Sequence, residues 1–139
     1  MAIERTLCII KPDAVEKRKA GAILQHIQEE GFTILAMRQQ RLSLREAEGF
    51  YAVHRERPFF KDLCEFMTRG AVVLVALERD DAVAHWRKVI GATDPAKAEA
   101  GTIRKLYGAS VGENAVHGSD SVENGRIECS YYFKGSDLG

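Results

Sequence analysis

The apolar run Ala71-Val72-Val73-Leu74-Val75-Ala76-Leu77 constrains this chain more than any other stretch. It is rich in β-branched residues and far too short to span a bilayer, so it predicts the central strand of a sheet. A second run, Thr6-Leu7-Cys8-Ile9-Ile10, is nearly continuous and reads as a strand buried on both faces or nearly so. It stops at Lys11-Pro12-Asp13, which predicts a turn, and Pro12 biases Lys11 toward extended geometry. Lys11 therefore belongs at the carboxyl end of a central strand, a usual place for site residues.

Helical periodicity fills the intervals. Ile23, Leu24 and Ile27 keep helical spacing over residues 20–30, with His26 off that stripe and Gly31 as a left-handed stop. Residues 33–42 are a further strand candidate. Ser43-Leu44-Arg45-Glu46 is a capping box opening a helix that carries Ala47, Phe50, Tyr51 and His54, and Arg57-Pro58 breaks it. Residues 59–68 predict a short helix with Phe59, Leu63, Phe66 and Met67 inward. After the central strand, Asp80 or Asp81 caps a helix through Ile90, with Val83, Trp86, Val89 and Ile90 buried, Arg87 near its end and Gly91 closing it. Residues 91–113 lack sustained periodicity apart from a turn at 102–106, and so long a stretch is usually functional or disordered. Residues 111–116 read as an edge strand, a helix runs from Ser121 to near Phe133, and Gly135-Ser136-Asp137 as a mobile tail. This order fits a βαββαβ core with added helices: one domain over residues 1–139, an α/β (α+β) sandwich of the ferredoxin-like type. Helices would cover one face of a four-stranded antiparallel sheet.

Charge narrows the partners. Lys and Arg total 20 and Asp and Glu total 20, so no global field draws the chain to nucleic acid or a membrane. The opening Met-Ala-Ile-Glu-Arg-Thr has no apolar segment behind a basic one, so no signal peptide is expected. Cys8, Cys64 and Cys129 are odd in number, widely spaced and form no C-x-x-C, which suits buried thiols in a reducing compartment. A cytoplasmic protein is the expectation.

The chemistry concentrates in Asn114-Ala115-Val116-His117-Gly118-Ser119-Asp120. Asp120 with Glu123 reads as an N-cap and its capping-box partner, which places His117 just ahead of a helix N-terminus that favours anions. Gly118 allows a tight turn and close approach of a ligand, and an imidazole there is a plausible phosphoryl acceptor. P-loop, dinucleotide and metal-cluster signatures are missing, so a nucleotide enzyme built this way must hold phosphate with side chains, with Lys11, Arg87 and Arg104 as candidates. Phe59, after Pro58, could stack on a base. Taken singly, His117 is more simply a loop histidine and the cations are more simply solvated charges.

Together these stretches resemble one family. Asn114 to Asp120, N-A-V-H-G-S-D, is similar to the active-site signature of nucleoside diphosphate kinases. The resemblance extends over the whole chain through Glu4-Arg5-Thr6-Leu7 with Ile10-Lys11-Pro12-Asp13, Arg57-Pro58-Phe59-Phe60, Gly91-Ala92-Thr93 and Gly101-Thr102-Ile103-Arg104. It implies that His117 takes the γ-phosphoryl from a nucleoside triphosphate and gives it to a diphosphate. Lys11, Tyr51, Arg87, Thr93 and Arg104 would hold or neutralise phosphates, and Asn114 with Lys11 would contact the sugar hydroxyls. Phe59 would lie under the base with Val111 opposite, and Ser119 and Glu128 would partner the histidine. Glu128 comes from the resemblance alone, since at about 1.5 Å per helical residue it lies roughly 12 Å along the helix from Asp120.

The resemblance also implies Mg²⁺ carried in by the nucleotide phosphates rather than held in a carboxylate cage. Ribo- and deoxynucleoside di- and triphosphates would be the substrates, and a homo-oligomer, tetramer or hexamer, the assembly. Lys105-Leu106-Tyr107, Ala100, Asp94 and Ala14 depart from the family's common residues without removing a chemical group from the site. A non-catalytic nucleotide- or nucleic-acid-binding module on the same fold is the rival reading. An RNA-binding sheet would want exposed aromatics on its central strands, where Leu7, Ile9, Val73 and Val75 stand instead.

Overall fold

The computed structural model describes residues 2–139. Strands β1 (Ile3–Ile10), β2 (Thr33–Gln40), β3 (Val72–Asp80) and β4 (Val116–His117) form one antiparallel sheet in the order β2-β3-β1-β4. The two apolar runs are thus adjacent inner strands, with Cys8 opposite Val75 and Ile9 opposite Leu74. Alternation divides them between two cores. Cys8, Ile10, Val73 and Val75 pack with Ile23 and Ile27 of helix α2 (Ala20–Glu29) and with Trp86 and Ile90 of helix α5 (Ala82–Ile90). Leu7, Ile9, Leu74 and Ala76 pack with Ala47 of α3 (Leu44–Phe50), Cys64 and Met67 of α4 (Phe60–Met67) and Cys129 of α7 (Val122–Tyr132). Helices therefore cover both faces, not one. The continuous apolar stretches Leu7–Ile10 and Val72–Leu77 within these strands cannot leave either face in water.

Other differences have local causes. Lys11-Pro12-Asp13 is not only a turn: Pro12 is the first residue of a short helix, α1 (Pro12–Glu16), where its missing N–H costs nothing, and Lys11 stays extended as the N-cap. Strand β2 stops at Gln40, with a bulge between Ile34 and Ala36. The Ser43–Glu46 capping box forms as expected. Phe59 precedes α4 as its N-cap and is 48% exposed, not inward. Asp81 precedes α5 but its side chain makes no cap; Glu4 of β1 does that job, accepting from Val83 N at 3.2 Å. The turn near Thr102 is a helix, α6 (Ile103–Tyr107), capped by the Thr102 hydroxyl.

At the sheet edge only Val116 and His117 pair, with Ile10 and Ile9, so the strand expected over residues 111–116 shrinks to β4. Ser121, not Asp120, caps α7 by accepting from Asn124 N at 3.0 Å; Asp120 accepts from the Asn124 side chain at 2.6 Å. The tail forms a last turn, α8 (Gly135–Leu138), anchored by buried Leu138, which corrects the mobile reading. All three cysteines are free and buried.

Candidate active site

His117 ends β4, opposite Ile9 across the ladder, rather than standing in a turn before the helix. Its Nε2 lies 2.7 Å from Glu128 Oε1. The same oxygen accepts from Ser119 Oγ at 2.8 Å, and Ser119 Oγ accepts from Leu7 N at 3.1 Å. A carboxylate can only accept, so in the neutral imidazole Nε2 carries the proton and Nδ1 keeps its lone pair. The ring is held further by the edge of Phe50, with centroids 5.4 Å apart, and by Trp86 Nε1, which donates to the His117 carbonyl at 3.3 Å.

Glu128 reaches His117 because α7 folds back along β1. Ser119 N donates to Thr6 Oγ1 at 3.3 Å, which lays the chain against the strand, and a β-carbon at Gly125 would collide with the Arg5 carbonyl oxygen. Gly125 and Glu128 are three residues apart and share a helix face. The face that touches β1 therefore carries the carboxylate. Gly118 has a different role from the expected tight turn: a β-carbon there would stand 2.8 Å from Trp86 Cδ1 and 2.7 Å from Ile90 Cδ1.

Beside the histidine the cations gather. Buried Lys11 donates from Nζ to Asn114 Oδ1 at 2.9 Å, and Asn114 Nδ2 donates to the Thr93 carbonyl at 3.1 Å. Burial, helped by Arg104, pushes the Lys11 pKa down to about 8, although Asp13 pulls it back. Arg104 donates to the carbonyls of Gly91 (3.2 Å) and Val116 (3.0 Å), while its buried Nε has no partner. Burial and then the Arg87 charge bring its pKa down to about 10. Arg87, Thr93, Arg104 and Gly118 line a cavity of about 110 Å³. The start of α7, Ser121 and Val122, lines a different cavity, which shares Arg87 with this one.

Tyr51 is buried with a hydroxyl that has no partner, and burial chiefly, then the Glu128 charge, lifts its pKa above the ordinary tyrosine value. From it a series of rings runs outward, Tyr51 to His54 at 6.5 Å and His54 to Phe59 at 5.5 Å. Phe59 and Val111 stand exposed. The structure thus joins Lys11, Asn114 and Thr93 in one chain of contacts and His117, Ser119 and Glu128 in another. Asp13, Phe50 and Trp86 were not legible as contributors; a carboxylate placed directly after Pro12 was the one signal available for Asp13.

The sequence profile of the family "Nucleoside diphosphate kinase" matches residues 4–138. A nucleoside diphosphate kinase of Sorangium cellulosum is 61% identical over 138 residues, covering 99% of this chain and 96% of that one. The crystal structure of the Aquifex aeolicus nucleoside diphosphate kinase superposes with a TM-score of 0.97 at 45% identity, covering 99% of this chain and 100% of that one. A halophilic nucleoside diphosphate kinase from Halobacterium salinarum, solved in complex with CDP, gives 0.94 at 34% identity, covering 99% and 92%.

Proposed function

Because the chain belongs to the nucleoside diphosphate kinase family, we propose that its transfer of a terminal phosphoryl group from a nucleoside triphosphate to a nucleoside diphosphate passes through His117. The observation that carries this reading is the 2.7 Å bond from His117 Nε2 to Glu128, which assigns the lone pair to Nδ1. Nδ1 attacks the γ-phosphorus, the bond to the bridging oxygen breaks, and the diphosphate leaves with that oxygen. The Nε2 proton stays on Glu128's side of the ring, so the imidazole charge that develops is met by a carboxylate already in place. A second diphosphate then attacks through its terminal oxygen, the P–N bond breaks and His117 is restored, giving ping-pong kinetics.

Lys11, Arg87 and Arg104 supply the positive charge that phosphoryl transfer needs, and two of the partnerless buried atoms among the described residues, Arg104 Nε and the Tyr51 hydroxyl, are donors free for phosphate oxygens. Thr93 sits at the cavity wall, and Asn114 shares Lys11 with the sugar hydroxyls. Phe59 stacks under the base and Val111 closes the other side. A kinase of this family needs a divalent cation. A donor set of lysine, arginines and amide fits phosphate oxygens and not a bare cation, so the ion, which we take to be Mg²⁺, would be held by the nucleotide's own phosphates and would supply charge neutralisation there.

Residues 1–139 act as one domain in this reading, supported by the family match over 4–138 and by one sheet serving both cores. The substrates are nucleoside di- and triphosphates, ribo and deoxy; the complex of the Halobacterium salinarum relative with CDP supports that class. No helix among the described residues is long and apolar enough to cross a membrane. A cytoplasmic homo-oligomer, tetramer or hexamer, completes the proposal. The test is incubation with γ-labelled ATP and Mg²⁺: the protein takes label, a nucleoside diphosphate discharges it as triphosphate, and H117A takes none. Wild-type labelling in H117A would remove His117 from the reaction.

A further inference from the structure

Asp13 is the second residue of α1 and is buried at 1% exposure, yet among the described residues it makes no direct ion pair, the Lys11 and Lys17 charges acting on it from further off. Its Oδ2 accepts from Ala115 N at 3.1 Å, and its Oδ1 is buried without a partner. The peptide it holds is unusual. Ala115 is fully buried with φ +76°, in the left-handed region that a side-chain-bearing residue rarely adopts. Such a conformation persists only where its surroundings fix it. Here both polar backbone groups of Ala115 are tied to one corner: its N–H to Asp13, and its carbonyl to Lys11 N at 2.8 Å.

The residues on either side carry the chemistry. Asn114 accepts from Lys11 Nζ, so the corner and the loop are bonded a third time through side chains of the site itself. Val116 and His117 follow and enter β4 opposite Ile10 and Ile9. If the Ala115 peptide relaxed to a right-handed or extended conformation, Asn114 would rotate about Ala115 relative to Val116 and His117, which the β1 ladder holds. An acid serving only the helix dipole of α1 would need no burial, because that effect works at the surface.

We propose that Asp13 is a positioning residue for phosphoryl transfer, which by accepting the Ala115 N–H holds the left-handed peptide that sets Asn114 against Lys11 and His117 against Glu128. This rests on His117 as the acceptor. Asp13 touches no substrate atom; it acts through Ala115. The assignment has a specific genetic signature. Glycine adopts positive φ freely, so A115G makes the peptide's conformation less dependent on the carboxylate. Asparagine keeps an acceptor oxygen, so D13N retains the bond.

The experiment compares wild type, D13A, D13N and D13A/A115G for ADP phosphorylation, label uptake from γ-labelled ATP and cooperative melting. D13A is expected to lose kcat/KM by roughly 10–100-fold, mainly in kcat, because the reacting groups are misaligned rather than removed. D13N is expected to stay within about fivefold of wild type, and A115G to return D13A to within about fivefold as well. Folded D13A with wild-type kcat, D13N as impaired as D13A, or no recovery from A115G would each overturn the assignment. If D13A yields no folded protein, the double variant decides: folded and within about fivefold of wild type supports the proposal, and unfolded or inactive protein contradicts it. Wild type that takes no label would fail the His117 reading instead, whatever Asp13 does.

Discussion

No β-carbon fits at Gly125, because α7 lies against the carbonyl oxygen of Arg5 on β1. Backbone meets backbone there, so the clash cannot be relieved by a flexible side chain swinging away. Glu128, three residues on along the same face, takes its place beside His117 from that contact.

G125A should therefore act on the reaction from a distance. We expect a stability loss of about 1–3 kcal/mol, typical of overpacking, together with slower phosphoryl uptake because Glu128 is carried away from the ring. Urea melts and single-turnover labelling of the same preparations separate the two effects. Wild-type uptake in G125A would show that the helix-to-strand contact does not set the carboxylate.

Removing the carboxylate itself should be more severe. E128A is expected to slow phosphoenzyme formation by on the order of 10²-fold, the size of one lost preorganised group. S119A should do less, since Glu128 keeps its bond to Nε2 and loses only the 2.8 Å hydroxyl contact. Equal loss in both variants would mean that the hydroxyl, not the carboxylate, orients the ring.

These contacts also mark what could be seen in the residues alone. The inner strands were legible because continuous apolar runs have few alternatives, and the Ser43–Glu46 cap because its chemistry is local. The second covered face was missed although the same runs implied it. Phe59 was misplaced as a core residue by helical spacing that does not distinguish a residue inside α4 from its N-cap. Lys11 and His117 stand out by their place after the first strand and beside Gly118, and Asn114 through resemblance, whereas Glu128 has no local signal: its role depends on α7 folding back over β1. Asp13 was overlooked because nothing in Lys-Pro-Asp discloses a bond to a backbone amide about a hundred residues away.

The depressed pKa of Lys11 gives a pH dependence with a definite sign. Its charged form is lost as pH rises through about 8, well below the ordinary lysine value of 10.5. Binding of ADP to the free enzyme should weaken above about pH 8, and K11R, which keeps its charge, should lack that limb. Stability moves the other way: between about 8 and 10.5 the unfolded chain binds more protons at this residue, so Lys11 adds stability as pH rises. Calorimetric titration of ADP from pH 6.5 to 9.5 checks the first statement. A flat profile for wild type would place Lys11 in ordinary solvent.

In the proposed site Phe59 and Val111 would offer the base a π-face and an apolar wall, and such contacts accept every base. Purine and pyrimidine diphosphates, ribo and deoxy, should show kcat/KM values within about two orders of magnitude of one another. F59A should weaken them together, by about 1–3 kcal/mol. A preference of about 10⁴ for one base would require a hydrogen-bonding pocket absent from this account.

The central claim is that Glu128 holds the Nε2 proton and leaves Nδ1 to react, and the phosphoenzyme records the outcome directly. Protein labelled with ¹⁵N-histidine, loaded with ATP and freed of ADP, can be read by ³¹P–¹⁵N correlation NMR under alkaline conditions. The expected spectrum shows a single phosphorus coupled to Nδ1 of His117. Coupling to Nε2, or phosphorus on Ser119 or on no side chain at all, would contradict it.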